Sequence, residues 1–225
     1  GPWANIPGIG GTIEPTSGLS ALLGYPGGAP MNSGMMYPDA VAGLNAFAAI
    51  MAAIRHRNRT GEGQYIDLSM QEANLTFAGE AALEYLRNGR QRERMGNRHP
   101  AFAPHGIYRC AGEDQWIAIA CESDPEWQSL VAALGSPASL ADSRFATNAL
   151  RKTNEDSLDA AIEGITAGAA RDELAARLAA AGVIAAAVHD GREVASDPAL
   201  SARGVIEPVH HPEAMSVPQS VRCFD

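Results

Sequence analysis

Tyr37-Pro38-Asp39-Ala40-Val41-Ala42-Gly43-Leu44 opens an Ala-rich run that continues to Arg55-His56-Arg57-Asn58-Arg59-Thr60 and stops at Gly61-Glu62-Gly63-Gln64. A proline at the start of a helix removes only an N–H that has no intrahelical partner anyway. Alanine then carries the helix forward at no propensity cost. Arg55, Arg57 and Arg59 complement the negative end of the helix dipole, and Gly61 supplies a left-handed cap. The pattern predicts a helix from Asp39 to about Arg59, about 32 Å long. Ala42, Gly43, Ala46, Ala49 and Ala53 would let neighbouring backbones come close. The apolar run 40–54, interrupted by Asn45, falls short of the ~20 residues of a membrane span. It is expected to be a buried core helix.

Working outward, residues 1–38 are rich in Gly and Pro, with turns at Gly10-Gly11, Pro26-Gly27-Gly28 and Gly34. They read as loops around a short segment at 19–23. On the other side, 64–68 alternates polar and apolar residues as a strand does, and a second helix is expected over 71–87. From 88 to 105 the helical pattern is lost in an Arg-bearing linker. Beyond it, 105–110 and 116–121 form a predicted hairpin around Gly112-Glu113-Asp114. Helices at 125–134, 154–165 and 171–181 follow, then an apolar strand at 183–188, a short helix near Arg192 and a last strand at 205–210. The third part is therefore a compact α+β unit of ordinary domain size.

The 225 residues carry 17 basic and 26 acidic side chains, a net charge of −9. An acidic surface repels nucleic acid and anionic membranes, so neither is an expected partner. Three widely spaced cysteines (Cys110, Cys121, Cys223) form no disulfide framework or metal-ligand spacing and suit a reducing cytoplasm. His210-His211 lacks a third ligand at recognisable spacing, so no metal site is expected. Gly61-x-Gly63 is too short for a phosphate-binding fingerprint and reads as a turn. The first residue is Gly, with no signal-peptide pattern after it, and the opening reads as mid-protein sequence.

Two readings of Asp39 stand side by side. As a helix N-cap it would accept hydrogen bonds from the first turn's free N–H groups. As a nucleophile it would use the same location, because a helix N-terminus favours the anion that covalent catalysis needs.

The surroundings of Asp39 are distinctive as an ordered series. Gly43 follows, then Arg57, Thr60-Gly61-Glu62-Gly63-Gln64 and Ser69-Met70-Gln71-Glu72-Ala73. Further on come Gly96-Asn97, Pro100, the 104–108 segment, Trp127, Leu134-Gly135, Asp142-x-Arg144-Phe145, Gly182-Val183, Asp197-Pro198 and Ala202-Arg203-Gly204. This series resembles the CaiB/BaiF family of class III coenzyme A transferases and related racemases, over nearly the whole chain.

The resemblance implies an α/β fold: a helical and loop remnant of a large Rossmann-like domain (1–94), a small α+β domain (95–195) and a segment returning toward the large one (196–225). It makes the chain the C-terminal part of a longer protein, expected to be inactive alone. Asp39 would attack an acyl-CoA thioester to give a mixed anhydride, then an aspartyl-CoA thioester, before a carboxylic acid acceptor takes the coenzyme. Met70, Asn97 and His99 match positions that line the coenzyme A site or its covering loop. For Met70 ordinary packing stands as the other reading, and for Asn97 and His99 turn chemistry. Coenzyme A is then part of the substrate, with no permanently bound cofactor. The family relation also implies an interlocked homodimer in the cytoplasm.

Two departures bear on the reaction. The racemase branch carries a His-Asp pair where this chain has Ile9-Gly10, which favours a transferase over a racemase or epimerase. Formyl-CoA transferases place a Glu where Gly10 stands, and glycines where this chain has His99-Pro100-Ala101-Phe102-Ala103, which argues against a formyl or oxalyl substrate. The arginines 87, 90, 92, 94 and 98 would meet coenzyme A phosphates or, as charge runs usually do, stay in a solvated linker. A non-catalytic coenzyme-binding fragment is the third reading.

Overall fold

The computed structural model describes residues 3, 5–209 and 217–220. Gly1-Pro2, His210-His211 and Cys223 lie outside these, and so does the end of the strand expected at 205–210. The chain divides into two units, residues 1–98 and 99–225.

The first unit is helical. Helix α1 (Gly10–Thr16), α2 (Leu19–Leu22), α3 (Tyr37–Thr60), α4 (Met70–Leu75) and α5 (Gly79–Asn88) follow in order, with a 3-10 turn at Thr76–Ala78 between the last two. Helix α3 has the predicted stop and begins two residues earlier than expected: Pro38 lies in its first turn, and Gly61, at φ +80°, caps it by donating its N–H to the Arg57 carbonyl. Its 24 residues extend about 36 Å. Two expectations fail here. The helix predicted at 71–87 is broken in two by the tighter turn. The strand predicted at 64–68 is absent: the segment has no regular secondary structure, no described strand pairs with it, and alternation alone cannot make a sheet.

Helix α3 is also not the buried core helix that its composition suggests. Of its residues only Pro38, Val41 and Ala42 are buried, while Ala46, Ala49, Ala53 and His56 continue a half-covered stripe along one side. Small side chains on that stripe allow α1 and α4 to pack on it. Leu44, Phe47, Met51 and Ile54 recur at helical spacing on a face left bare. Among the described residues α3 is the one helix long and apolar enough to cross a membrane by length and composition.

What the first unit does bury is largely polar. Glu14 accepts from the backbone N–H and hydroxyl of Ser33, at 2.6 and 2.8 Å. Asn74 donates to Ser17 Oγ at 2.6 Å, and Ser17 donates to the Glu14 carbonyl at 2.7 Å. Ser20 donates to Asn32, which donates to the Gly11 carbonyl. Gln71 ties α4 to α1 through the Thr16 carbonyl, at 2.8 Å. The arginines of the 88–98 stretch are used locally as well: Arg90 and Arg92 pair with Glu84, Arg92 also with Glu80, and Arg94 donates to the carbonyls of Gly28 and Ala21.

The second unit contains the apolar core. Strands β1 (His105–Arg109), β2 (Trp116–Ala120) and β3 (Ile184–Ala187) form an antiparallel sheet in that order, with His105 opposite Ala120 and Ile117 opposite Ala187. Ile117 and Ile119 point to one face, as the two-residue period demands. They pack with Trp127 and Leu130 of α6 (Asp124–Ala133), Leu158 and Ile162 of α8 (Glu155–Thr166), and Leu174 and Leu178 of α9 (Arg171–Ala180). Cys110 and Cys121 lie in this cluster, and burial pushes the Cys121 thiol up to about 12. The sequence pattern had located these strands and the longer helices. It had not located the short α7 (Asn148–Thr153) or α11 (Pro198–Ala202), nor the pairing of β4 (Ile206–Val209) with β5 (Val217–Ser220).

The exit of β3 is fixed by charge. Arg171 is almost fully buried, donates to the Val188 carbonyl at 2.9 Å and forks onto both carboxylate oxygens of Glu193 in α10 (Gly191–Ala195). The Arg171 hydrogen bonds, with the Asp190 N–H, lower Glu193 from 4.5 to about 2. A carboxylate whose folded value is depressed stabilises above its unfolded value and stops doing so as pH falls through the folded one. The melting difference between wild type and Glu193→Gln should therefore be constant above about pH 5 and shrink between 4.5 and 2. Thermal melts at stepped pH test this; a gap that persists unchanged to pH 2 would refute the assignment.

Candidate active site

Asp39 sits in the first turn of α3, but not as its cap. The N-cap is Met36, which holds the left-handed conformation (φ 50°, ψ 43°) and makes no side-chain cap. Pro38 displaces the helix start by two residues from where the sequence places it, so the N-cap reading is corrected: Asp39 is the third helical residue, and its N–H donates to the Met36 carbonyl at 3.0 Å. Its carboxylate is exposed and makes no hydrogen bond or ion pair with the described residues.

Most short polar N-cap residues among the described residues are engaged instead, Asn154 at the start of α8 excepted. Ser69, Ser123, Thr147, Asp190 and Asp197 each accept a backbone N–H from the turn they open. The carboxylate of Asp39 lies instead against the backbone of Gly10, at the first position of α1. An ideal Cβ on Gly10 would stand 1.8 Å from Asp39 Oδ2. In this conformation the carboxylate fills the space that a Cβ at position 10 would take.

Met70 is the first residue of α4, half-buried, in a helix whose start is capped by Ser69 Oγ accepting from the Glu72 N–H at 3.3 Å. Because α1, α3 and α4 pack on one another, Met70 and Asp39 belong to one helical cluster. Asn97 is exposed near the end of the first unit.

His99 opens the second unit. Its Nδ1 accepts from the Ala101 N–H at 3.1 Å, which is local turn chemistry. Its ring stacks on Phe102 with centroids 3.7 Å apart, and His105 approaches both rings at 5.6 Å. Three residues of α7 hold this loop. Asn148 accepts from the Ala103 N–H and donates to the Ala101 carbonyl, at 3.1 and 2.8 Å. Arg151 donates to the Ala103 carbonyl at 2.7 Å, and Lys152 to the His99 carbonyl at 2.7 Å. None of the three was legible as a loop clamp, since each acts across some fifty residues of sequence.

Among the described residues no three of His, Cys, Asp and Glu gather as a metal site would require. A shallow depression lined by Met51, Ile54, Arg55 and Arg59 lies on the far half of α3, about 18 Å along the helix from Asp39, and has no reacting group in it.

Comparison with known proteins gives the class. The whole chain, residues 1–225, matches the model of CoA-transferase family III, and it belongs to that family. It is 32% identical over 213 residues to the succinyl-CoA–D-citramalate CoA-transferase of Chloroflexus aurantiacus, covering 95% of this chain and 53% of that protein. The acetyl-CoA:oxalate CoA-transferase of Acetobacter aceti is 31% identical, over 92% of this chain and 53% of its own length. A solved CaiB/BaiF family protein from Brucella suis superposes with a TM-score of 0.83 at 32% identity, over 99% of this chain and 61% of that one. The mixed fold, helices with a small antiparallel sheet, is that of the CaiB/BaiF proteins. The chain spans about half the length of the curated relatives it matches.

Proposed function

We propose that this chain is the C-terminal part of a coenzyme A transferase in which Asp39 exchanges acyl group and coenzyme between an acyl-CoA and a carboxylic acid. The observation that supports it most is the carboxylate itself: exposed, bonded to nothing among the described residues, and accommodated by a glycine.

A carboxylate oxygen of Asp39 adds to the thioester carbonyl carbon and the C–S bond breaks, giving a mixed anhydride and the coenzyme A thiolate. The thiolate attacks the Asp39 carbonyl carbon, releasing the donor carboxylate and leaving an aspartyl-CoA thioester. An acceptor carboxylate attacks that thioester, forming a second anhydride and freeing the thiolate again. Thiolate attack on the acceptor acyl carbon completes the new acyl-CoA and restores Asp39. Each step exchanges one acyl bond for another at a single fixed group, which is how covalent catalysis divides a difficult transfer.

Met70, Asn97 and His99 are the proposed contacts to coenzyme A or the loop over it. The reading extends to a cytoplasmic homodimer for the full-length protein and to no activity for this chain alone. A racemase is disfavoured because the places of its His-Asp pair hold Ile9 and Gly10, and Gly10 is the residue against Asp39.

The full-length protein, incubated with succinyl-CoA, acetyl-CoA and longer acyl-CoAs and then with hydroxylamine, should carry a hydroxamate on the Asp39 peptide by mass spectrometry. Deuterium exchange at the acyl α-carbon without that adduct would instead identify a racemase. Neither outcome, with coenzyme A bound, would leave a binding protein.

A further inference from the structure

Glu14 is buried in α1, with 1% of its surface exposed, and no cation pairs with it among the described residues. Burying a carboxylate is costly unless donors replace the water it gives up. The donors here come from one residue: the Ser33 backbone N–H on Oε1 and the Ser33 hydroxyl on Oε2. An apolar side chain would fill the same place without that cost. What it could not do is hold Ser33.

Ser33 belongs to a strap, residues 32–36, that leads directly into α3. Asn32 ties the strap to α1 and α2, donating to the Gly11 carbonyl at 2.9 Å and accepting from the Ser20 hydroxyl at 2.6 Å. The Met35 N–H donates to Ser33 Oγ at 3.3 Å. Met36 follows in the left-handed conformation, at φ 50°. A residue with a Cβ adopts that conformation at a cost and keeps it only where its surroundings hold it. Helix α3 starts from this residue, whose carbonyl accepts from the Asp39 N–H at 3.0 Å.

We propose that Glu14 is a positioning residue for Asp39: through Ser33 it fixes the strap whose left-handed Met36 aims the first turn of α3, and with it the carboxylate. This rests on the transferase reading given above. Glu14 touches no substrate in this account, and its part is that of a buried acceptor rather than a charge. Without that acceptor the strap is free to leave the left-handed turn, and the nucleophile shifts with it. A misplacement of about 1 Å costs on the order of 100-fold in rate, because reacting atoms must be held within near-attack distance.

The test uses the full-length protein. Glu14→Leu should leave KM for the acyl-CoA donor within about 3-fold, because uniform binding is untouched, while kcat falls about 100-fold. The hydroxylamine adduct on Asp39 should fall with it. Glu14→Gln is the rescue. Its amide oxygen still accepts from the Ser33 N–H and the hydroxyl can turn to accept from its amide N–H, so kcat should return to within about 3-fold of the parent. Parental kcat in Glu14→Leu would overturn the proposal, and so would a loss in Glu14→Gln as large as that in Glu14→Leu.

Should Glu14→Leu melt well below the parent, Ser33→Ala decides the matter. It removes the hydroxyl of a half-buried side chain and leaves the backbone N–H bond in place. Deuterium uptake by the peptide spanning 34–42 should then rise at a melting temperature close to the parent's, and kcat should fall about 10-fold. Either one at its parental value would overturn the proposal. Hydrogen exchange needs no turnover, so it separates failure of this inference from failure of the transferase reading, which alone predicts the adduct in the parent protein.

Discussion

The full-length protein carrying Asp39→Ala is expected to lose ~10⁴-fold or more in kcat while its melting temperature stays nearly that of the parent. Both halves of the prediction have a structural basis. Removing a covalent nucleophile deletes every intermediate. Removing this carboxylate from the fold, however, breaks no hydrogen bond or ion pair among the described residues. Only its interaction with the α3 N-terminus is lost, about 0.3–1 kcal/mol. A helix cap would behave oppositely, costing ~1 kcal/mol or more in stability with turnover intact. Parallel initial-rate and melting measurements tell the two apart, and full turnover by Asp39→Ala would end the transferase assignment.

The second large effect falls on stability. Arg151 has no exposed surface, and each nitrogen of its guanidinium is used: Nε donates to the Ala103 carbonyl at 2.7 Å, Nη1 to the Phe145 carbonyl at 3.2 Å and Nη2 to Asp124 Oδ1 at 2.8 Å. Its carbon Cζ lies 5.1 Å from the centre of the Trp127 ring. Arg151→Met fills much of the same volume but leaves two carbonyls without a donor. Each buried orphan costs about 1–3 kcal/mol. Asp124 is half exposed and can return to water, which limits the electrostatic part. The total should be about 3 kcal/mol, a fall of ~10 °C in the melting of the second unit. Arg151→Lys should recover only part, since an ammonium is a point donor and cannot reproduce the planar fork. Circular dichroism melts of this chain suffice. A loss below about 1 kcal/mol for Arg151→Met would show that water replaces the guanidinium at both carbonyls.

The parts of the fold that were legible in the sequence are those decided locally. Pro38 and Gly61 bracket α3, the alternation of 116–121 marks β2, and Gly112 lies in the turn that joins it to β1. Helix α1 was hidden because Gly10-Gly11 reads as a turn; Pro15 inside it cannot donate to the Gly11 carbonyl, which accepts from Asn32 Nδ2 at 2.9 Å instead. The segment 64–68 misled because its alternation describes two faces without saying whether a neighbour exists. Asp39 was singled out by its motif, but its true helical position depended on Met36 adopting a conformation that local composition does not signal. Its contact with Gly10 and the α7 clamp on the His99 loop are tertiary facts. No spacing rule joins them.

The polar interior of the first unit has a calorimetric consequence. The heat-capacity increment of unfolding grows with newly wetted apolar surface and shrinks with polar surface. In the first unit the buried apolar residues are Pro38, Val41, Ala42 and Ala78 beside Glu14, Ser17, Ser20 and Asn74, whereas the second unit encloses the apolar cluster. The larger part of the increment, and with it the curvature of stability against temperature, therefore originates in the apolar cluster of the second unit. Cooling should weaken that half and leave the half that carries Asp39 comparatively indifferent.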